Sequence, residues 1–132
     1  MALTRLKALC ELPEDGRVFV YGTGEMGRTM VLLLARYGRP ATGYIDSARA
    51  GECGGMMVTP VAEFRATRRP DDIVLVCSSF VGEIVRHLEP CISGRDFVAA
   101  AFLDSAVFER KRFGSYVEDG RIHLVQRNFD GQ

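Results

Sequence analysis

Gly22, Gly24 and Gly27 stand in "YGTGEMGR" at the spacing G-x-G-x-x-G. The chemistry of that pattern is anion binding, because glycines let the backbone approach a phosphate while the amides of a following helix N-terminus face it. The three glycines serve different ends. Gly22 permits a tight turn, Gly24 removes a side chain that would block the anion, and Gly27 lets helix and strand pack closely. Glycine is common, so the spacing acquires meaning only from its flanks. One flank is acidic. Asp46 lies 19 positions past Gly27, close to the separation of about 20 residues at which a carboxylate meets a ribose diol.

The rest of the loop, Thr23, Glu25 and Met26, and the residue after the acid, Ser47, fall within reach of the same ligand. Glu25 argues against tight pyrophosphate binding, since it must point to solvent or compete for the helix N-terminus. Asp46 would accept from ribose hydroxyls and repel a 2′-phosphate, which favours NAD over NADP. The alternative is that the glycines only make a close strand-to-helix turn and Asp46 caps the following loop. Ser78 and Ser79 in "CSSF" end a strand and could bond a phosphate, ribose or base, although Ser79 is also placed to cap the next helix. Cys77 reads as a buried strand residue. His87 reads as a solvent-facing or helix-terminal residue, and His123 as the outer face of a hairpin.

These groups need elements to hold them. "RVFVYG" is a β-branched and aromatic strand running into the glycines, and Met26 to Tyr37 is a helix with Met26, Met30, Leu33, Leu34 and Tyr37 on its apolar side, ended by Gly38. "ATGYID" is a second strand. "SARAGECGGMMVTP" has no helical period and predicts an irregular loop with a short extended piece near Met57 to Thr59. Pro60 suits the first turn of a helix "VAEFRATRR". "DDIVLVCSS" is a third strand, "VGEIVRHLE" a helix, "RDFVAAAF" a fourth strand and "DSAVFERKRF" a last helix. The charged stretches "TRRPDD" and "ERKRF" read as solvated helix ends.

Alternation of strand and helix predicts an α/β fold, a mainly parallel Rossmann-like sheet with helices on both faces, in a single domain over 1–132. Leu3, Leu6 and Leu9 predict an amphipathic N-terminal helix within 1–15, ahead of an α/β core over 16–113. "SYVEDGRIHLV" predicts a hairpin about Asp119-Gly120 in the tail, 114–132. The N-terminal helix and the hairpin both offer surfaces for a homodimer.

Bulk properties exclude some classes. Seventeen basic residues balance seventeen acidic ones in 132 residues, so no global field draws nucleic acid or an anionic membrane. The longest apolar run, Phe97 to Leu103, is far short of a membrane span. Cys10, Cys53, Cys77 and Cys91 contain no C-x-x-C pair and make no zinc constellation with two histidines. Reduced thiols fit a cytoplasmic protein. No tyrosine is followed four positions later by lysine, so the usual short-chain dehydrogenase pair is missing.

"VFVYGTGEMGR…GYIDS…VTPVAEF…DDIVLVCSS", over Arg17 to Phe102, resembles the small Rossmann-like domains that precede catalytic domains in bacterial sugar acyltransferases, nucleotide-sugar dehydratases of polysaccharide synthesis and some methyltransferase-linked proteins. The resemblance to the acyltransferases implies a UDP-sugar as ligand, its pyrophosphate on Gly22 and Gly24 and its nucleoside at Asp46. Ser47 follows Asp46 where those domains often carry a second acid, and no hexapeptide-repeat domain is present. "GTGEMG" is also similar to the NADP-binding loop of glutamyl-tRNA reductase, without a matching catalytic region. The reading is a nucleotide-binding module, for NAD or a UDP-sugar, without a complete active site. Two alternatives stay open: a small oxidoreductase or transferase, including a methyltransferase-like one, completed by a partner chain, and an interaction module whose nucleotide loop has decayed.

Overall fold

The computed structural model describes residues 3–99 and, in the tail, 117–118 and 121–122. Its frame is a sheet of seven strands: β1 (Thr4–Arg5), β2 (Val18–Tyr21), β3 (Gly43–Asp46), β4 (Gly51–Cys53), β5 (Met56–Pro60), β6 (Ile73–Val76) and β7 (Phe97–Val98). They lie in the order β1-β7-β6-β2-β3-β5-β4. All neighbours are parallel except β4, which runs antiparallel to β5. From β5 to β7 this is the doubly wound order, with β2 at the centre and the direction of winding reversing between β2 and β6. The fold is α/β and Rossmann-like.

Among the described residues three helices cover the two faces: α1 (Glu25–Arg36), α2 (Val61–Thr67) and α3 (Val81–Leu88). Strands buried on both sides read as unbroken apolar runs, and β2 and β6 are buried at every position. Val18, Val20, Ile73, Leu75 and Cys77 pack with Met30, Leu33 and Leu34 of α1. The alternate residues Phe19, Tyr21, Val74 and Val76 pack with Val61 and Phe64 of α2 and Ile84 and Leu88 of α3. Tyr37, expected on the apolar side of α1, is 37% exposed at the helix end. Gly38 follows at φ +87°, the left-handed conformation that stops the helix.

The N-terminus corrects an expectation. In place of an amphipathic helix, Thr4–Arg5 forms a parallel edge strand on β7, held onward by the Leu6 amide donating to the Val98 carbonyl at 2.8 Å. A single 3₁₀ turn follows at Leu9–Glu11. Leu6, Leu9 and Leu12 recur every three residues, the eclipsed period of a 3₁₀ turn rather than the 3.6 of an α-helix. All three are buried in this chain's own core, on the α1 side, so the segment does not offer the apolar pairing face expected of it.

The stretch expected to be an irregular loop is also more regular. β4 and β5 form a hairpin about Gly54-Gly55, whose φ values of +57° and +84° match a two-residue turn with both central residues left-handed. The tail hairpin is present as β8 (Val117–Glu118) antiparallel to β9 (Arg121–Ile122). The last helix, expected at "DSAVFERKRF", the "ERKRF" cluster within it, and His123 fall outside the described residues.

In "TRRPDD", Thr67, Arg69, Pro70 and Asp71 are exposed as expected of a solvated end, but Arg68 and Asp72 are not. Arg68 is bidentate to Asp96, at 2.7 and 2.5 Å, with 6% and 0% of the two side chains exposed. Arg17 is bidentate to Asp72, at 2.9 and 2.8 Å. Asp96 also accepts from the amides of Val74 and Ser93, and Asp72 from that of Arg69. These clasps tie the starts of the strands together, satisfying carboxylates that burial would otherwise penalise.

Candidate functional site

Charge is locked at one edge of the sheet, and the candidate site lies at the other, where β2, β3 and β6 end. Strand β2 runs into Gly22, whose amide donates to the Ile45 carbonyl at 3.0 Å. Gly22 sits at φ +129°, and a β-carbon there would stand 2.6 Å from the Cys77 carbonyl oxygen. A β-carbon on Gly27 would stand 1.8 Å from the Gly22 carbonyl oxygen. Both glycines are therefore required by contacts inside the chain. Gly24 differs. It is the N-cap of α1 at φ −82°, a conformation open to any residue, and among the described residues a β-carbon there would meet nothing within 4 Å.

Ser78 adjoins this turn, its β-carbon 3.9 Å from where Gly22 would carry one. Its hydroxyl accepts the Phe80 amide at 3.1 Å. Phe80, not Ser79, is the N-cap of α3, and no side chain caps that helix. The cap expected of Ser79 is thus replaced by a serine turn one residue earlier, with Ser79 left exposed at the rim. Glu25 opens α1 and is exposed; Met26 is half-buried against the α1-side core.

Asp46 ends β3 half-buried. Its Oδ2 accepts the amides of Ala48 at 3.1 Å and Arg49 at 2.7 Å, an Asx-type turn that shapes the following loop. That loop delivers a residue that sequence reasoning missed. Arg49 places Nη1 3.3 Å from Thr23 Oγ1 and donates from Nη2 to the Glu52 carbonyl, bringing a positive charge to the glycine turn. Its position three residues past the acid is the one signal the sequence holds. Arg28 adds a second guanidinium, its Nε donating to the Gly24 carbonyl at 3.2 Å.

Ser47 and His87 are also brought together, though nothing in their spacing joins them. Ser47 Oγ lies 3.2 Å from Tyr21 Oη and 3.4 Å from His87 Nδ1, and Tyr21 Oη lies 3.5 Å from the same nitrogen. Cys77 is buried, which pushes its thiol far above the usual range and makes it inert.

A cavity of about 150 Å³, lined by Arg17, Phe19, Gly43, Met57, Glu63 and Thr67 among others, lies toward the strand starts against α2. It is smaller than the several hundred Å³ a nucleotide needs, and it is remote from the glycine turn. Among the described residues no group of His, Cys, Asp and Glu could hold a metal ion, and no helix is long and apolar enough to cross a membrane. No protein-family model, no curated protein and no solved structure matches the chain.

Proposed function

We propose that the chain is a nucleotide-binding module, taking NAD or a UDP-sugar, that serves sugar or polysaccharide metabolism and presents its ligand to chemistry completed by a second domain or chain. The observation that carries this reading is Gly24. Its neighbours Gly22 and Gly27 are glycine because the fold demands it, whereas Gly24 has an ordinary φ and open space beyond it. What its missing side chain leaves room for lies outside the described residues. At the N-terminus of a twelve-residue helix, beside the winding reversal of the sheet, that room suits a phosphate.

In this reading the turn from Gly22 to Gly27 faces the pyrophosphate, with Arg49 neutralising part of its charge. Asp46 orients the ribose, and Ser78 and Ser79 line the crevice. A thermal-shift panel with NAD, NADP, UDP-sugars, coenzyme A and S-adenosylmethionine, repeated on Gly24→Val, tests it. The variant is expected to fold, since its β-carbon meets no described atom within 4 Å, and its own melting curve without ligand checks this. At a hundredfold excess over its dissociation constant a true ligand adds about 2.7 kcal/mol. A shift with NAD or a UDP-sugar that vanishes in Gly24→Val is the expected result. Absence of any shift overturns the reading in favour of an interaction module, and a shift that survives in the variant moves the ligand away from this turn.

A further inference from the structure

Tyr21, Ser47 and His87 come from three elements, 26, 40 and 66 positions apart in pairs, and meet within 3.2 to 3.5 Å at the carboxyl edge of the sheet. Tyr21 is the last residue of β2, Ser47 directly follows β3, and His87 is in the last turn of α3. Ser47 is exposed and His87 half-buried, so the group opens to solvent on the α2/α3 side.

Either hydroxyl can donate across the shortest contact, 3.2 Å; in the arrangement where Tyr21 donates to Ser47 Oγ and His87 carries its proton on Nε2, the Ser47 proton is directed to Nδ1. Burial and, less strongly, the Asp46 charge push the Tyr21 phenol above its ordinary value of 10, against the opposing Ser47 bond and Arg65 charge. Tyr21 therefore stays a donor at neutral pH. The group is held from both sides: the Asp46 carboxylate closes the turn around Ser47, and Arg65 of α2 donates to the His87 carbonyl at 2.7 Å.

We propose that Ser47 and His87 are a nucleophile and its general base, acting on carboxylic esters, with Tyr21 stabilising the negative charge that develops on Ser47 Oγ. His87 Nδ1 takes the Ser47 proton as Oγ bonds to the ester carbonyl carbon. The bond from that carbon to the alcohol oxygen then breaks, and the alcohol leaves with the proton from His87. Water, activated by the same nitrogen, hydrolyses the acyl-serine and returns Ser47. None of the three residues lies in the glycine turn itself, so labelling of this pair is read separately from nucleotide binding.

A fluorophosphonate tests the pair directly, because Oγ attack on phosphorus expels fluoride and leaves a stable adduct. The expected result is one adduct per chain, mapped to Ser47 and absent in Ser47→Ala, which folds because Ser47 is exposed. His87→Ala slows labelling about 100-fold and added imidazole restores part of it. Tyr21→Phe slows it about tenfold, the effect of one hydrogen bond to a developing charge. An adduct on another residue, a rate unchanged in His87→Ala, or a rate no faster than that of heat-unfolded protein overturns the proposal.

Discussion

Gly27 lies against Gly22 so closely that a β-carbon on the first would stand 1.8 Å from the carbonyl oxygen of the second. A methyl group cannot be fitted there without separating α1 from β2. Gly27→Ala is expected to cost more than about 3 kcal/mol, in the range of severe overpacking. Gly24→Ala, with open space at an ordinary φ, should stay within about 1 kcal/mol of wild type. Urea unfolding of the two variants checks the contrast; equal losses would mean that the turn is not built this way.

The Arg17–Asp72 clasp makes stability fall in acid. Burial raises the pKa of Asp72, but the Arg17 hydrogen bonds, the Arg69 amide and the Arg17 charge outweigh it, so the net shift is below the ordinary 3.8. A carboxyl lowered by folding contributes stability that is complete above its unfolded value and lost as pH falls through the folded one. Stability should therefore drop as pH falls below about 4, and Asp72→Asn should flatten that limb while lowering the plateau. Arg68→Met, which strands the Asp96 carboxylate in the interior, is expected to cost about 3–5 kcal/mol. Thermal melts from neutral pH into strong acid measure both.

Thiol reactivity should separate the four cysteines by position. Cys10 is exposed, Cys53 and Cys91 are half-buried, and Cys77 is buried with its thiol pushed far up. With a chromogenic disulfide in mildly alkaline buffer, Cys10 is expected to react first and Cys77 only at the rate of unfolding, with denaturant releasing it. Rapid native labelling of Cys77 would place the end of β6 at the surface.

The central architecture is legible in the sequence because buried parallel strands and an amphipathic helix write themselves as local patterns. "VFVY" and "IVLV" are unbroken runs, and Met30, Leu33 and Leu34 mark one helical face. β1 carries no such mark, since two exposed residues on a sheet edge have no apolar period. The β4–β5 hairpin is hidden by composition: Gly51, Gly54 and Gly55 look like loop, although two of them make the turn that pairs the strands.

Of the candidate site, the glycine turn is readable residue by residue because all of its parts lie within one short segment. Arg49 beside Thr23, and Ser47 between Tyr21 and His87, are not. Those pairs are 26 or more positions apart, and only the strand order brings them to one edge. Likewise Arg68 and Asp96, 28 positions apart, look like separate surface charges until the sheet stacks their segments.

The order of the strands also governs when each can be placed during synthesis. Central β2 pairs with β6 across 55 positions, from Val18 to Ile73, and β1 finds its partner only at Phe97–Val98. Among the described strands of the sheet, the first in sequence is thus paired once the last has emerged. Contacts of such long separation close slowly. Until they do, the growing chain leaves the ribosome with the middle of its sheet open on one side, a state in which a chaperone would find exposed apolar strands to bind.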